Sequence, residues 1–396
     1  MDARKRIPPL DGLRVLMIFL VSWFHIWQQS WLQPMIGTYS LDYLVRSGYV
    51  WVDGTVLLSA FLLFLPYARA MRGEGKLPDP REFYYRRARR ILPSYYFILL
   101  LSFFAICLPW NLYNGNGPFM VKDLATHFTF TFTFFFDTYV ATPLGGACWT
   151  LAIEAQAYLL FPWIARAAMK KPAAVMITLS VLCFGFRAWC LWGLTEYQMV
   201  VNQLMNFLDV YVIGMLGAIA FTALEARQRN ASRQERAWTA GIATVLFFAC
   251  LWGLLRLLRV QAGSNGYPTI QARQMMFRPA YALGFLGMML GSIFAVKPLR
   301  MLLGNPVTRF LGGISMNYYL IHQIIIVHMK RLHFPPSQSE TPNMSGEQPW
   351  QTQYTLLAFG ISLAAAVLIT YGVEKPAGKL MDRIRNTKKA SPAGEG

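Results

Sequence analysis

The sequence predicts an all-α fold, a polytopic membrane bundle of about ten transmembrane helices, and three observations carry that reading. Hydrophobic residues make up 55% of the 396 residues and charged residues only 14%, where a soluble domain carries about a quarter charged. The apolar residues fall in runs of about 20, the length that crosses a hydrocarbon core about 30 Å thick. The basic residues fall in short clusters between the runs, on alternate sides. The net charge is +18, from 37 Lys and Arg against 19 Asp and Glu. Its confinement to loops between apolar runs argues against nucleic acid as a partner. The five cysteines include no C-x-x-C pair, which excludes zinc ribbons and thioredoxin-like redox chemistry. No metal site is expected.

The elements follow in order. The run 12–31 comes after Arg4, Lys5 and Arg6. It has the outline of a signal peptide, but Arg14 and His25 interrupt it and no small-x-small cleavage site follows, so it reads as a retained first helix. The run 48–68 ends at Arg69, and 91–109 follows the cluster Arg81 to Arg90. The aromatic stretch 124–136 is too short to cross and reads as a re-entrant or interfacial segment. Next come 149–165, 173–193, 203–222, 238–257, 279–296, 308–329 and 353–373. With ten crossings and the N-terminus inside, 28 of the 37 Lys and Arg lie on the cytoplasmic side and 8 outside, with Arg187 inside a run. Counting 124–136 as a crossing would put the clusters 166–171 and 227–236 outside, against the positive-inside rule. Both termini are therefore expected in the cytoplasm, with a membrane domain over 1–378 and a basic tail over 379–396. The polar, Pro-rich stretch 333–351 reads as a flexible outer loop. Within it, Asn343-Met-Ser is a weak glycan-acceptor match.

A charged side chain at the centre of a spanning helix costs about 2.5–3.5 kcal/mol on insertion scales. Each such residue therefore faces the bundle interior or a wet cavity and is a functional candidate. His25, Asp53, Glu154, Arg187, Asp209, His322 and His328 fall in this class. His25 lies eleven residues after Arg14, roughly 16 Å along a helix, which puts it near mid-membrane if Arg14 marks the cytoplasmic edge. Imidazole takes and returns a proton near neutral pH; the alternative is a packing histidine. Glu154 sits five residues into a helix entering from the outer face. It is placed to orient His25 or to donate a proton, or else to form a structural ion pair with Arg187 or another helix. Arg81, Arg86, Arg87, Arg89 and Arg90 exceed what orientation needs, and guanidinium suits phosphate, either of a polyphosphate donor or of lipid headgroups. Asp209, His322 and His127 read as cavity-lining groups, and Ser59 as helix packing.

These residues, in this order, resemble acyltransferase family 3, the integral-membrane acyltransferases. PPLDGLRVLMIFLVSWFH resembles the family's opening, at Arg14 and His25. GYVWVDGTVLLSAFLLFLPYAR resembles its Gly-Val-Asp to Ser-Gly-Phe-Leu stretch, ending at Arg69. FYYRRARRILPSYY resembles its double-Arg segment at Arg86, Arg87, Arg90, Ile91, Pro93 and Tyr95. WTLAIEAQAYLLFP is similar to its Trp-Ser-Leu helix at Trp149, Leu151, Glu154, Gln156 and Tyr158. LGGISMNYYLIH and VEKP are weaker echoes. The chain departs from the pattern at Gly54, Thr55, Ala60 and Ala155, all expected around the cavity.

The resemblance implies transfer of an acyl group, most often acetyl, from acyl-coenzyme A to a hydroxyl, often on a cell-envelope sugar. Acyl-coenzyme A is then a donor substrate, with no permanently bound cofactor. It implies His25 as the central catalytic residue, with Glu154 or Asp53 balancing its charge. Arg14, Arg69, Arg86, Arg87, Arg90 and Tyr95 would hold the donor, and Trp149 and His322 the acceptor. The location expected by resemblance is a bacterial cytoplasmic membrane. The rival reading is a transport or binding module, since the membrane portions of serine racemases are similar to this family.

Overall fold

The computed structural model describes residues 6–145 and 148–390. Arg4, Lys5 and the final six residues of the expected tail lie outside the described residues. Helix α1 (Pro9–Ser30) is followed by a two-stranded antiparallel hairpin, β1 (Met35–Ile36) and β2 (Tyr39–Ser40), in which Met35 pairs with Ser40. Then come α2 (Asp42–Arg46), α3 (Trp51–Met71), α4 (Pro80–Ser102), α5 (Gly117–Phe128) and α6 (Phe136–Tyr139). The second half holds α7 (Trp149–Lys170), α8 (Pro172–Gly193), α9 (Leu208–Asn230), α10 (Arg233–Ala262) and α11 (Tyr267–Phe294). The chain closes with α12 (Lys297–Leu303), α13 (Pro306–Arg331), α14 (Trp350–Ile369) and α15 (Lys375–Ala390).

The fold is the expected all-α membrane bundle. Among the described residues nine helical stretches are long and apolar enough to cross a membrane, and the protein is a multi-pass membrane protein. The tenth expected span forms as α7, whose 22 residues rise about 33 Å. It falls outside those nine because Glu154, Gln156 and Arg166 lower its mean hydropathy. A helix whose polar residues face a wet cavity need not be apolar all round. The stretch 124–136 breaks after Phe128 into short turns and makes no span-length helix.

Burial ranks the helices. In α3 the most apolar window is 78% buried, against 22% in α8 and in α10. The α3 helix therefore lies at the centre, packed against α1, α7, α9 and α11. The α8 and α10 helices turn Trp192, Val245 and other exposed apolar side chains toward lipid. At Gly12 an added Cβ would run into the backbone of Leu303, so only glycine lets α1 lie this close to the end of α12.

Helix ends extend beyond the apolar runs because polar caps set them. Asp79 accepts hydrogen bonds from the backbone amides of Arg81 and Glu82 ahead of Pro80, which starts α4 well before its apolar part. Ser232 and Glu235 form a reciprocal capping box that starts α10. Beyond α14, α15 is docked on the first turns of α4. Asp382 accepts from Arg89 at 2.7 Å and from Tyr85 at 2.8 Å, and Arg385 pairs with Glu82.

The expected flexible loop is a correction. Between α13 and α14 the Glu347 carboxylate accepts from the backbone amides of Gln338 and Ser339 at 2.9 and 3.0 Å. The Trp350 indole donates to the Pro335 carbonyl at 3.0 Å and is buried. A polar, Pro-rich composition describes a loop of this kind too, because its order comes from side chains bonding backbone. Asn343 is itself buried.

Candidate active site

The site grows from one face of α1. Arg14, Ile18, Val21 and His25 are spaced by four, three and four residues, so they line a single stripe of the helix. Arg14, Ile18 and Val21 border an inner cavity of about 120 Å³. The α3 helix contributes Thr55 and Ser59 to it, α4 Arg87 and Arg90, α7 Thr150, Glu154 and Tyr158, and α13 Ser315 and Tyr319. His25 stands one turn beyond Val21.

At the basic end of the bundle the cavity opens into a vestibule of about 1350 Å³, and Arg14, Leu62, Arg87 and Arg90 border both. Five carboxylates line the vestibule, and each is engaged. Asp11 pairs with Arg6, Glu225 with Arg69 and Arg229, Glu74 with Arg72 and Arg229, and Glu82 with Arg86 and Arg385, while Asp79 caps α4. Arg14, Arg87 and Arg90 have no carboxylate within ion-pair distance among the described residues. Arg87 lies over the ring of Tyr158, 5.4 Å from its centroid. Three unpaired guanidinium groups at the neck of a funnel make a site for a phosphate-bearing ligand.

Above the neck the groups are hydrogen-bonded into place. Tyr158 donates to Glu154 at 2.7 Å and has Ser59 at 3.4 Å, and Thr150 donates to the Tyr319 hydroxyl at 2.9 Å. Beyond them lie two imidazoles, His25 and His322, with ring centroids 5.3 Å apart. His322 Nδ1 is 2.7 Å from the Tyr319 carbonyl, and His25 Nδ1 is 3.0 Å from the Gln28 amide oxygen. A backbone carbonyl only accepts, so His322 Nδ1 carries the proton and its Nε2 the lone pair, and the Gln28 amide, with its oxygen toward His25, selects the same tautomer there. The His322 Nε2 is buried with no hydrogen-bond partner among the described residues.

The comparison with protein families agrees with this layout. A family model described as "Acyltransferase domain" (Acyl_transf_3) matches residues 7–373, nearly the whole bundle. The chain belongs to acyltransferase family 3. Among curated relatives of this chain is peptidoglycan O-acetyltransferase OatA of Listeria monocytogenes, 27% identical over 40% of this chain and 24% of the relative. The putative peptidoglycan O-acetyltransferase YrhL of Bacillus subtilis is 27% identical over 45% and 27%. O-acetyltransferase OatA of Staphylococcus aureus is 28% identical over 46% and 29%. The chain thus aligns with about a quarter of the length of these relatives. No solved structure matches significantly.

Several expected site residues stand elsewhere. Asp53 is fully buried and pairs with Arg278 at 3.3 Å, because its neighbours Val52 and Thr55, and not Asp53, face the cavity. Arg187 pairs with Asp209 at 3.0 Å, so it is not the partner of Glu154. Glu154 lines the cavity but bonds Tyr158, and the ring beside His25 is His322. Tyr95 is buried and donates to the His127 carbonyl at 2.9 Å, anchoring the 117–139 segment to α4 and not reaching the vestibule. His127 is itself packed under Phe132 and lines no mouth. Trp149 packs near Phe207, while Thr150 and Leu151 face the cavity. Arg69 and Arg86 border the vestibule within ion pairs.

Of the departures from the family pattern, only Thr55 lines the cavity. Gly54 is where a Cβ would meet Met17 and Phe285, and Ala60 abuts Gly214, so both are helix-packing positions. Sequence reading missed Ser315 and Tyr319, although Ser315, Tyr319 and His322 follow four-and-three spacing along one face of α13. It also missed Arg278, which begins just before the apolar run it belongs to.

Proposed function

We propose that this protein moves an acyl group, acetyl in the first instance, from cytoplasmic acyl-coenzyme A to a hydroxyl of a cell-envelope glycan. The observation that carries the reading is the funnel: a basic vestibule that narrows at three unpaired arginines into a cavity bordered by Val21 and Tyr319, one turn short of His25 and His322, which stand beyond its lining. The relatives' names, which specify O-acetyl transfer and in two cases peptidoglycan, support the reaction and the acceptor class. The positive-inside rule supports the cytoplasmic side for the vestibule.

In this reading Arg14, Arg87 and Arg90 hold the donor's phosphates, and the pantetheine arm occupies the cavity between α1, α3, α7 and α13. His25 Nε2 accepts the proton of the acceptor hydroxyl as its oxygen attacks the thioester carbonyl. The C–S bond breaks, and the thiolate leaves with the proton that the imidazole returns. His322 stabilises the proton-bearing state of the pair. A route in which His25 is first acylated and then deacylated by the acceptor uses the same groups. General-base help of this kind contributes about 10²–10⁴ in rate.

The test is turnover of labelled acetyl-coenzyme A by detergent-purified protein, wild type against His25→Ala and His322→Ala, with mass spectrometry for an acylated histidine. Loss of turnover by about 10²–10⁴ in His25→Ala is expected. Full turnover in that variant would remove His25 from the chemistry. A folded wild type that neither binds nor consumes the thioester would leave a transport module as the better reading.

A further inference from the structure

At the end of the bundle opposite the vestibule, a second recess of about 420 Å³ lies between the last turn of α1 and the 333–349 loop. Trp27 and Trp31 form its aromatic wall, and Gln33 and Asn343 supply amides, while the Gln348 amide is held by Gln351 and Thr352 at 2.9 Å each. Trp31 terminates α1 in the left-handed region, φ 54°, and its indole is 45% exposed. An indole so exposed at the end of a spanning helix suits the membrane–water interface, and here it also forms part of the recess wall. The facing wall is fixed by the loop bonds described above and by Gln351, which donates to the Ser30 carbonyl at 2.9 Å and ties the loop to α1. Arg46 also borders the recess, but it pairs with Asp42 at 2.9 Å and lies over the Trp27 ring. The recess therefore offers flat apolar faces and amides, with no unpaired charge.

That combination selects a ligand chemistry. A pyranose ring has an apolar C–H face that lies on an indole, while its hydroxyl and N-acetyl groups need paired donors and acceptors such as amides. A phosphorylated or carboxylated unit would need a free cation, and Arg46 is taken. His25 lies six residues before Trp31, about 9 Å along α1, and two before Trp27, about 200° around it, so the recess and the imidazole share one end of the helix but lie on different faces.

We propose that this recess is a docking subsite for the acceptor glycan, and that it takes a neutral pyranoside, stacked on Trp31 and held by Gln33 and Asn343, at the same end of α1 as His25. The assignment rests on the acyl-transfer reading for its purpose but not for its binding chemistry, and the two are separable.

The experiment titrates detergent-purified full-length protein with chitotetraose, a neutral N-acetylglucosamine oligomer, by tryptophan fluorescence and calorimetry. Saturable binding is expected, weakened at least about tenfold in Trp31→Ala and largely retained in Trp31→Tyr, which keeps an aromatic face. Each protein is first checked for monodisperse elution and an unchanged unfolding temperature. Equal binding by Trp31→Ala, or no binding by the folded wild type, overturns the subsite. Tighter binding of a carboxylated oligosaccharide than of the neutral one overturns its neutral selectivity. Wild-type thioester turnover is measured on the same preparation. Turnover without saccharide binding sinks the subsite alone, whereas saccharide binding without turnover upholds the subsite and sinks acyl transfer.

Discussion

Two arginine clusters in this protein hold the same functional groups in opposite states. At the vestibule neck, Arg14, Arg87 and Arg90 border a cavity, and no carboxylate of the described residues is within ion-pair distance of them, Glu154 in the same cavity being bonded to Tyr158. On α8 and α11, Arg187 and Arg278 are buried against Asp209 and Asp53 at 3.0 and 3.3 Å, and Arg278 also donates to the Val201 and Asn206 carbonyls. Its guanidinium lies 3.9 Å from the centroid of Phe207. An arginine deep in a membrane protein therefore indicates only that something compensates its charge. Where the compensation is a carboxylate of the same chain, the pair is architecture. Where it is missing, the site is shaped for an incoming anion.

The comparison breaks first at its paired side. Replacing Arg278 by alanine strands Asp53 in the interior and is expected to destabilise the fold by about 3–5 kcal/mol, read as a lower unfolding temperature in detergent. Adding Asp53→Asn should recover part of that loss, and no recovery would mean that Arg278 acts through its carbonyl bonds instead. The unpaired side predicts a different signature. Arg90→Ala should leave stability nearly unchanged and raise the KM for acyl-coenzyme A about tenfold or more, the worth of a charge-assisted hydrogen bond of about 1.5–3 kcal/mol. A destabilised Arg90→Ala with unaltered KM would erase the distinction between the clusters.

Smaller effects sharpen it. Tyr95→Phe removes one buried hydrogen bond to the His127 carbonyl and should cost about 0.5–1.5 kcal/mol of stability without changing the donor KM. A KM change there would return Tyr95 to the donor site. The exposed pair Lys122–Asp137, 2.7 Å apart, should contribute within about 1 kcal/mol. Lys122 holds the Asp137 carboxyl below its ordinary range. Its small contribution is therefore present above that range and lost as pH falls through the depressed value. Asp137→Asn should remove this acid dependence from the unfolding curve and leave the neutral-pH value almost unchanged.

Spanning segments were legible because hydropathy reports what lipid demands of a helix. It reports less about helix ends. The apolar part of α4 starts near Ile91, but the cap at Asp79 sets the helix start, and the same gap hid Arg278, which sits one residue outside the apolar run 279–296 and inside α11. Single residues were legible where one helix sufficed, as with the Arg14 to His25 stripe. The partner of His25 was not, since it depends on α1 packing against α13, far away in sequence. The wrong partner for Arg187 has the same origin: Asp209 reaches it across α8 and α9.

The docking of α15 sets the azimuth of α4. Glu82, Tyr85 and Arg89 form one stripe along α4, bound by Arg385 and Asp382, while Arg87 and Arg90 form another, which borders the vestibule. Successive residues on a helix turn by about 100°, so the angle between these stripes is written into their spacing. The C-terminal helix thereby works as an index pin: with it seated, α4 has one rotational setting about its own axis, and that setting turns the two arginines toward Arg14. A single residue inserted between Tyr85 and Arg86 would turn Glu82 and Tyr85 about 100° away from Arg89, Arg87 and Arg90, so that Arg385 and Asp382 could no longer hold all three pin residues at once.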